Sequence, residues 1–231
     1  MGTLAGLERG EKASGVAFDA LVDRLAVALG GADVAPKQIH RAAAPPEARF
    51  LDVEAPAPAL GVHEARWQPG DLRALLAAVP RGESLAVYGR APNWVYAALA
   101  LHALPSEIWL FDARQGWMEL PALPPLAEAA TVDRQSGWDS VAESRPGYAW
   151  IELITNSQYL NPDQPDGLPL PLPPPAEGLV LSGRIPNWLL MAAARRLSPA
   201  YRWLAVHQPQ TGAVVVHSTV DSRTPGGVLT V

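Results

Sequence analysis

The chain has 231 residues, 48% of them hydrophobic, with a net charge of −5 at pH 7 and no cysteine. That is enough apolar material for one or two packed domains, but the acidic balance argues against a broad basic face for long duplex nucleic acid. The missing thiols exclude disulfides, a thiolate nucleophile and a cysteine zinc site. A small anion held by a few local donors is compatible with all of this. With no leader-like start and no apolar run of roughly 18 residues, a cytoplasmic protein without a membrane partner is expected.

Phe18, Leu21, Val22, Leu25 and Leu29 recur at helical spacing and end at Gly30-Gly31, which predicts an amphipathic helix in an N-terminal extension, residues 1–41. Around "RFLDVEA" an Ala/Pro/Glu-rich stretch reads as a short strand between loops. Asp71 is a plausible N-cap for a helix whose apolar face is Leu72, Leu75, Leu76 and Val79. The strand "SLAVYG" leads into "GRAPNW" (89–94), a helix to about Leu104, and the strand "IWLF" running into "DARQG". These elements make a first unit, 42–130, and residues 131–146 read as a linker. The second unit, 147–231, opens with the strand "AWIELI". The prolines of "NPDQPDGLPLPLPPP" then favour extended chain. "GLVLSG", "GRIPNW" (183–188), the helix "NWLLMAAARRL", "YRWLAV", "HQPQTG" and "AVVVHS" follow.

The two hexapeptides share Gly, Arg, Pro, Asn and Trp. Gly89 and Gly183, Trp94 and Trp188, and Pro105 and Pro199 are each 94 residues apart, while Gly116 and Gly212 are 96 apart. A duplicated unit of strand, glycine turn, helix, strand and turn accounts for this register. It predicts an α/β fold of two tandem Rossmann-like units.

An apolar strand ending in Gly and followed by Pro and a helix puts free backbone N–H groups at the strand's carboxyl end, where anions bind. Gly89 and Gly183 allow close approach, and Pro92 suits the first helical turn. Asn93 and Asn187 offer amides near the helix start. Arg90 and Arg184 offer charged donors for phosphate, and Trp94 and Trp188 offer faces for a base. Ser182, at the second strand end, joins this candidate ligand set. Turn chemistry, core packing and surface ion pairs explain the same residues without a ligand. Asp112, Arg114 and Gly116 stand where α/β strands deliver functional groups. Asp112 suits a divalent metal or the orientation of a base, and Arg114 suits a charged phosphoryl transition state. A turn Asp with a neighbouring Arg is the plainer account. In the second unit Gln208 and Gln210 occupy these places, and neutral amides supply no charge.

"LSGRIPNWLL" and "WLAVHQPQTGAVVVHS" resemble the two halves of the small CRISPR-associated ring nucleases of type III systems, the Csx-three or Crn-three family. "YGRAPNWVY" and "LFDARQG" resemble them less completely. The resemblance covers 85–116 and 179–218 best and does not reach residues 1–41. It implies a CRISPR-associated Rossmann fold, recognition of cyclic tetra-adenylate and manganese-dependent cleavage of that ring, which ends an antiviral signal. Two fused units would form a pseudo-dimer within one chain. Asp112 and Arg114 match the family's acid and Arg, with Ala113 in place of Pro. Asp112 is then the candidate metal ligand for Mn2+. His102 lies near the family's helix His but out of register. His207 and His217 are shifted from the closing His, whose position is Thr219, and His217 joins the candidate ligand set.

The expected function is a tandem ring nuclease acting on cyclic oligoadenylate, with Asp112, Arg114 and His102 as catalytic candidates. Its partners would be the ring, a second copy or type III CRISPR components. The rival is a module of the same family without catalysis: a sensor, a sponge or a structural subunit.

Overall fold

A computed structural model describes residues 27, 35–54, 66–124, 138–155, 160–162 and 170–231. The helix expected at 18–29 lies outside the described residues except for Val27. Among the described residues the fold is mixed α/β, with two sheets and four α-helices.

The first sheet has the order β1 (Arg49–Asp52), β2 (Leu85–Tyr88), β3 (Ile108–Asp112), β4 (Gly116–Glu119). β1, β2 and β3 run parallel, and β4 returns antiparallel through a tight turn. Strand alternation sends Leu85, Val87, Ile108, Leu110 and Met118 into the main core. On the other face Phe50, Tyr88, Phe111 and Trp117 form an aromatic layer. The short helix α1 (Pro36–Ala42) lies against this layer. His40 packs on Tyr88 and Phe111, Trp117 Nε1 donates to the His40 carbonyl at 2.8 Å, and Lys37 pairs with Asp52.

The second sheet has six strands in the order β10-β9-β8-β7-β6-β5, where β5 is Trp138–Arg145, β6 Tyr148–Thr155, β7 Gly178–Arg184, β8 Trp203–Gln208, β9 Gly212–Ser218 and β10 Val228–Leu229. Its parallel core of β6, β7 and β8, with β9 antiparallel, repeats the pairing senses of β1 to β4. Residues 138–145 were expected to be linker and are instead β5, paired along its whole length with β6. Trp138 and Val141 are the large apolar residues in it, so the strand carries no apolar alternation to read. A solvent-facing edge strand needs none.

Between the sheets lie α2 (Asp71–Ala78), α3 (Asn93–His102) and α4 (Asn187–Leu197). In α3, Trp94 through Leu101 are all buried. A helix apolar on every side must be covered on every side, and α3 packs against α2, α4, β8 and β9. The helix of the first unit therefore also fills the core of the second, and one continuous apolar cluster includes residues of both.

Candidate functional site

Both hexapeptides lead from a strand into a helix, with Gly89 just past β2 and Gly183 still paired near the end of β7. Gly89 and Gly183 have φ of +97° and +137°, values that exclude most side chains. A Cβ on Gly89 would lie 2.9 Å from Asp52 Oδ1 and from the Glu54 amide, and one on Gly183 would overlap the Leu153 carbonyl oxygen. Both glycines are thus required by neighbouring strands, with or without a ligand. The prolines differ from expectation by one position: Pro92 and Pro186 are the extended N-cap residues, and the helices begin at Asn93 and Asn187. No side chain caps either helix; the Val95 and Leu189 amides bond back to the Pro92 and Pro186 carbonyls, which leaves the amides of the first two helical residues for water or an anion. Tyr96 clamps the first turn, donating from its hydroxyl to the Gly89 carbonyl at 2.5 Å and accepting from the Ala91 amide at 3.2 Å. Burial raises its pKa and keeps the donor protonated.

The two turns share one edge of the molecule. Trp94 Nε1, at the start of α3, donates to Gln208 Oε1 at 3.1 Å, and Gln208 ends β8. At the far ends, Arg195 of α4 donates to the Ser106 carbonyl just past α3 at 2.8 Å. The helices α3 and α4 therefore run side by side in the same direction, with both N-termini at the carboxyl ends of the parallel strands. Arg90, Arg184 and Arg114 are exposed there, and Asn93 and Asn187 are partly so.

Asp112 and Arg114 occupy the β3–β4 turn. Asp112 Oδ1 accepts the Arg114 amide at 2.7 Å, and the Gln115 amide donates to the Asp112 carbonyl. Asp112 thus shapes the turn that displays Arg114. In the equivalent β8–β9 turn Gln208 holds Trp94 and Gln210 is exposed.

Residues 153–230 match the family model Cas_csx3, described as CRISPR-associated protein. This part of the chain is similar to the Cas_csx3 family. The match covers most of the second unit and none of the first, and no curated protein matches the chain. Among the described residues, no helix is long and apolar enough to cross a membrane.

Within the matched segment and the unit before it, several sequence candidates lie elsewhere than expected. His102 ends α3, and its Nε2 lies 2.7 Å from the Val79 carbonyl while its own carbonyl accepts the Gly82 amide. That is the amino-end edge of the first sheet, across β3 from Asp112, so His102 does not join Asp112 and Arg114. His217 faces the same edge in the second sheet, where Trp203, which begins β8, pairs with Ser218. Trp94 and Trp188 are 1% and 4% exposed, and Trp94 meets Trp67 edge to face. Neither ring has a free face for a base, because each helix buries its first turn in the shared core. Ser182 is buried, and its Oγ lies 3.2 Å from His207 Nδ1, with the His207 ring against Trp150. Register places this pair on the outer face of the second sheet, the side away from Gln208. The sequence reading missed the roles of Tyr96 and Gln208. Tyr96 is an unmatched position in an apolar helix, and Gln208 drew notice only for its lost charge.

The fit of a resident divalent metal is poor. Asp112 provides one carboxylate whose Oδ1 is already used by the turn, and among the described residues no three His, Cys, Asp or Glu side chains cluster to hold an ion.

Two of the half-buried histidines, His40 and His217, give a pH prediction. Burial lowers the pKa of His40, and burial followed by the nearby Arg81 charge lowers that of His217, both from 6.5. The unfolded chain then binds more protons than the folded one as pH falls through 6.5. Stability is expected to decline from there until the lower folded-state values are passed. Thermal melts across this range should show the decline, and His217→Gln should flatten it.

Proposed function

We propose that this CRISPR-associated protein binds a cyclic oligoadenylate, cyclic tetra-adenylate first among them, at the edge shared by the two hexapeptide turns. The observation that carries the reading is the Trp94–Gln208 bond, because it brings the first turn beside the strand ends of the second unit. Two uncapped helix N-termini and the exposed Arg90, Arg114 and Arg184 suit several phosphates at once. A ring of repeated nucleotides suits two similar turns. In this reading the chain is a tandem duplication of a Rossmann-like unit, fused into a pseudo-dimer.

Ring cleavage is the activity proposed at this edge. A ribose 2′-oxygen attacks the adjacent phosphorus and the bond to O5′ breaks, leaving a 2′,3′-cyclic phosphate and a 5′-hydroxyl. The 2′-hydroxyl proton passes to water, and O5′ takes one from water. Arg114 neutralises charge gathering on the phosphoryl oxygens, and Asp112 acts as the positioning residue that holds the Arg114 turn. Manganese enters as an assay condition, and no step passes through it. The second reading, binding without turnover, is favoured by Gln208 and Gln210 in the second unit and by His102 and His217 at the opposite edge.

The deciding experiment incubates the purified protein with cyclic tetra-adenylate, with and without Mn2+, and scores bound and cleaved ring together. Linear products support the nuclease, binding alone supports the sensor or sponge, and absence of both removes the ring as ligand. Arg184→Ala is expected to weaken binding roughly tenfold or more, the loss of a charge-assisted contact. Its melting temperature should hold, since Arg184 is exposed. Arg114→Ala should lower turnover more than affinity.

A further inference from the structure

We propose that the outer edge of β5 pairs with the same edge of a second copy of this chain, antiparallel about a two-fold axis at Ala142. The two six-stranded sheets would then become one.

β5 ends the strand order of its sheet, and among the described residues no strand lies on its outer side. Ala142, Glu143 and Ser144 are exposed, and Val141 is 39% exposed. The strand is eight residues long and in unbroken register with β6. It lacks the proline, bulge or shortness that usually protects an edge.

Backbone geometry fixes which residues face outward. β5 and β6 are joined by the two-residue turn Pro146-Gly147, with Gly147 at φ +86° and Arg145 paired with Tyr148. A two-residue hairpin makes that first pair a hydrogen-bonded one. Arg145, Glu143, Val141 and Asp139 therefore turn their backbone groups toward β6. Ser144, Ala142 and Ser140 present N–H and C=O outward, as pairing with a further strand requires.

Overlap and charge together select the register, since centring on Ser140 or Ser144 leaves much of the strand unpaired. Centred on Ala142, the outward groups of Ala142 pair with their own copies and those of Ser140 with Ser144. Asp139 comes opposite Arg145 in both symmetric places, at non-hydrogen-bonded positions where side chains are closest. Centring on Val141 sets Asp139 against Glu143, and centring on Glu143 sets that residue against itself. Both place like charges face to face. Arg145 is already ordered for the role, with its guanidinium 3.9 Å from the Trp150 ring centroid and 3.0 Å from Glu143.

The inference does not depend on ring binding. Its test is sedimentation velocity of the full chain over a concentration series, with circular dichroism to confirm folding. A dimer is expected. Asp139→Arg should weaken it about tenfold, since each reversal acts at two symmetric contacts. Arg145→Asp should do the same, and the double variant carrying both changes should restore it. Ala142→Pro removes an outward N–H that β6 does not use and should abolish the dimer while leaving the monomer folded. A chain that stays monomeric at every concentration overturns the proposal. So does a dimer indifferent to Ala142→Pro, and failure of the double variant to recover overturns the register.

Discussion

Gly183→Ala is expected to destabilise the second unit severely. The position combines a φ of +137° with a backbone neighbour where the new methyl would stand, the Leu153 carbonyl oxygen. Leu153 and Gly183 are register partners in the parallel pair β6 and β7, so relief would require parting two central strands. Strained backbone alone costs about 1–3 kcal/mol, and a clash with a carbonyl that cannot rotate away adds to it, for a loss of at least about 3 kcal/mol. In a chain of this size that lowers the melting temperature by roughly 6–12 °C, provided the variant still folds. Gly89→Ala is the informative comparison. Its methyl would meet the Asp52 side chain and Glu54 at 2.9 Å, near the end of the short strand β1, where the chain can give. It should lose about 1–3 kcal/mol. Equal losses in a calorimetric comparison would refute the assignment of Gly183 to strand packing.

Trp94→Ala carries the second large effect. Trp94 is 1% exposed, meets Trp67 edge to face and bonds Gln208 across the two units. Removing a buried indole costs about 3–5 kcal/mol, and here the cavity opens between α3 and the second sheet. Trp94→Phe keeps most of the packing and forfeits the bond to a partly exposed acceptor, at about 1 kcal/mol. The pair of variants separates architecture from recognition. If Trp94 serves as a core anchor, Trp94→Phe should bind cyclic tetra-adenylate nearly as wild type does. A large loss of affinity in Trp94→Phe with an unchanged melting curve would instead give the indole a direct role with the ligand.

These two positions also show how far the sequence could be read. The hexapeptides, their constant spacing and the apolar strands before them were enough to place Gly89 and Gly183 in strand-to-helix turns, since few residues tolerate those backbone angles. The similarity to Cas_csx3 at 153–230 spans the second hexapeptide and not the first. By contrast, β5 was hidden because an exposed edge strand needs no apolar alternation, and Pro146-Gly147 was the one local sign of its hairpin. The histidines misled because spacing along the chain does not say at which edge of a sheet a residue emerges. His102 ends its helix at the amino edge, while Asp112 ends its strand at the carboxyl edge, and a parallel crossover keeps the two apart.

The sequence alone determined the repeated strand, turn and helix, because local backbone limits and apolar periodicity act over a few residues. Only the tertiary structure decided that α3 of the first unit would fill the core of the second. That outcome follows from an all-apolar helix needing cover on every side. It turned Trp94 inward and set the two turns on one edge.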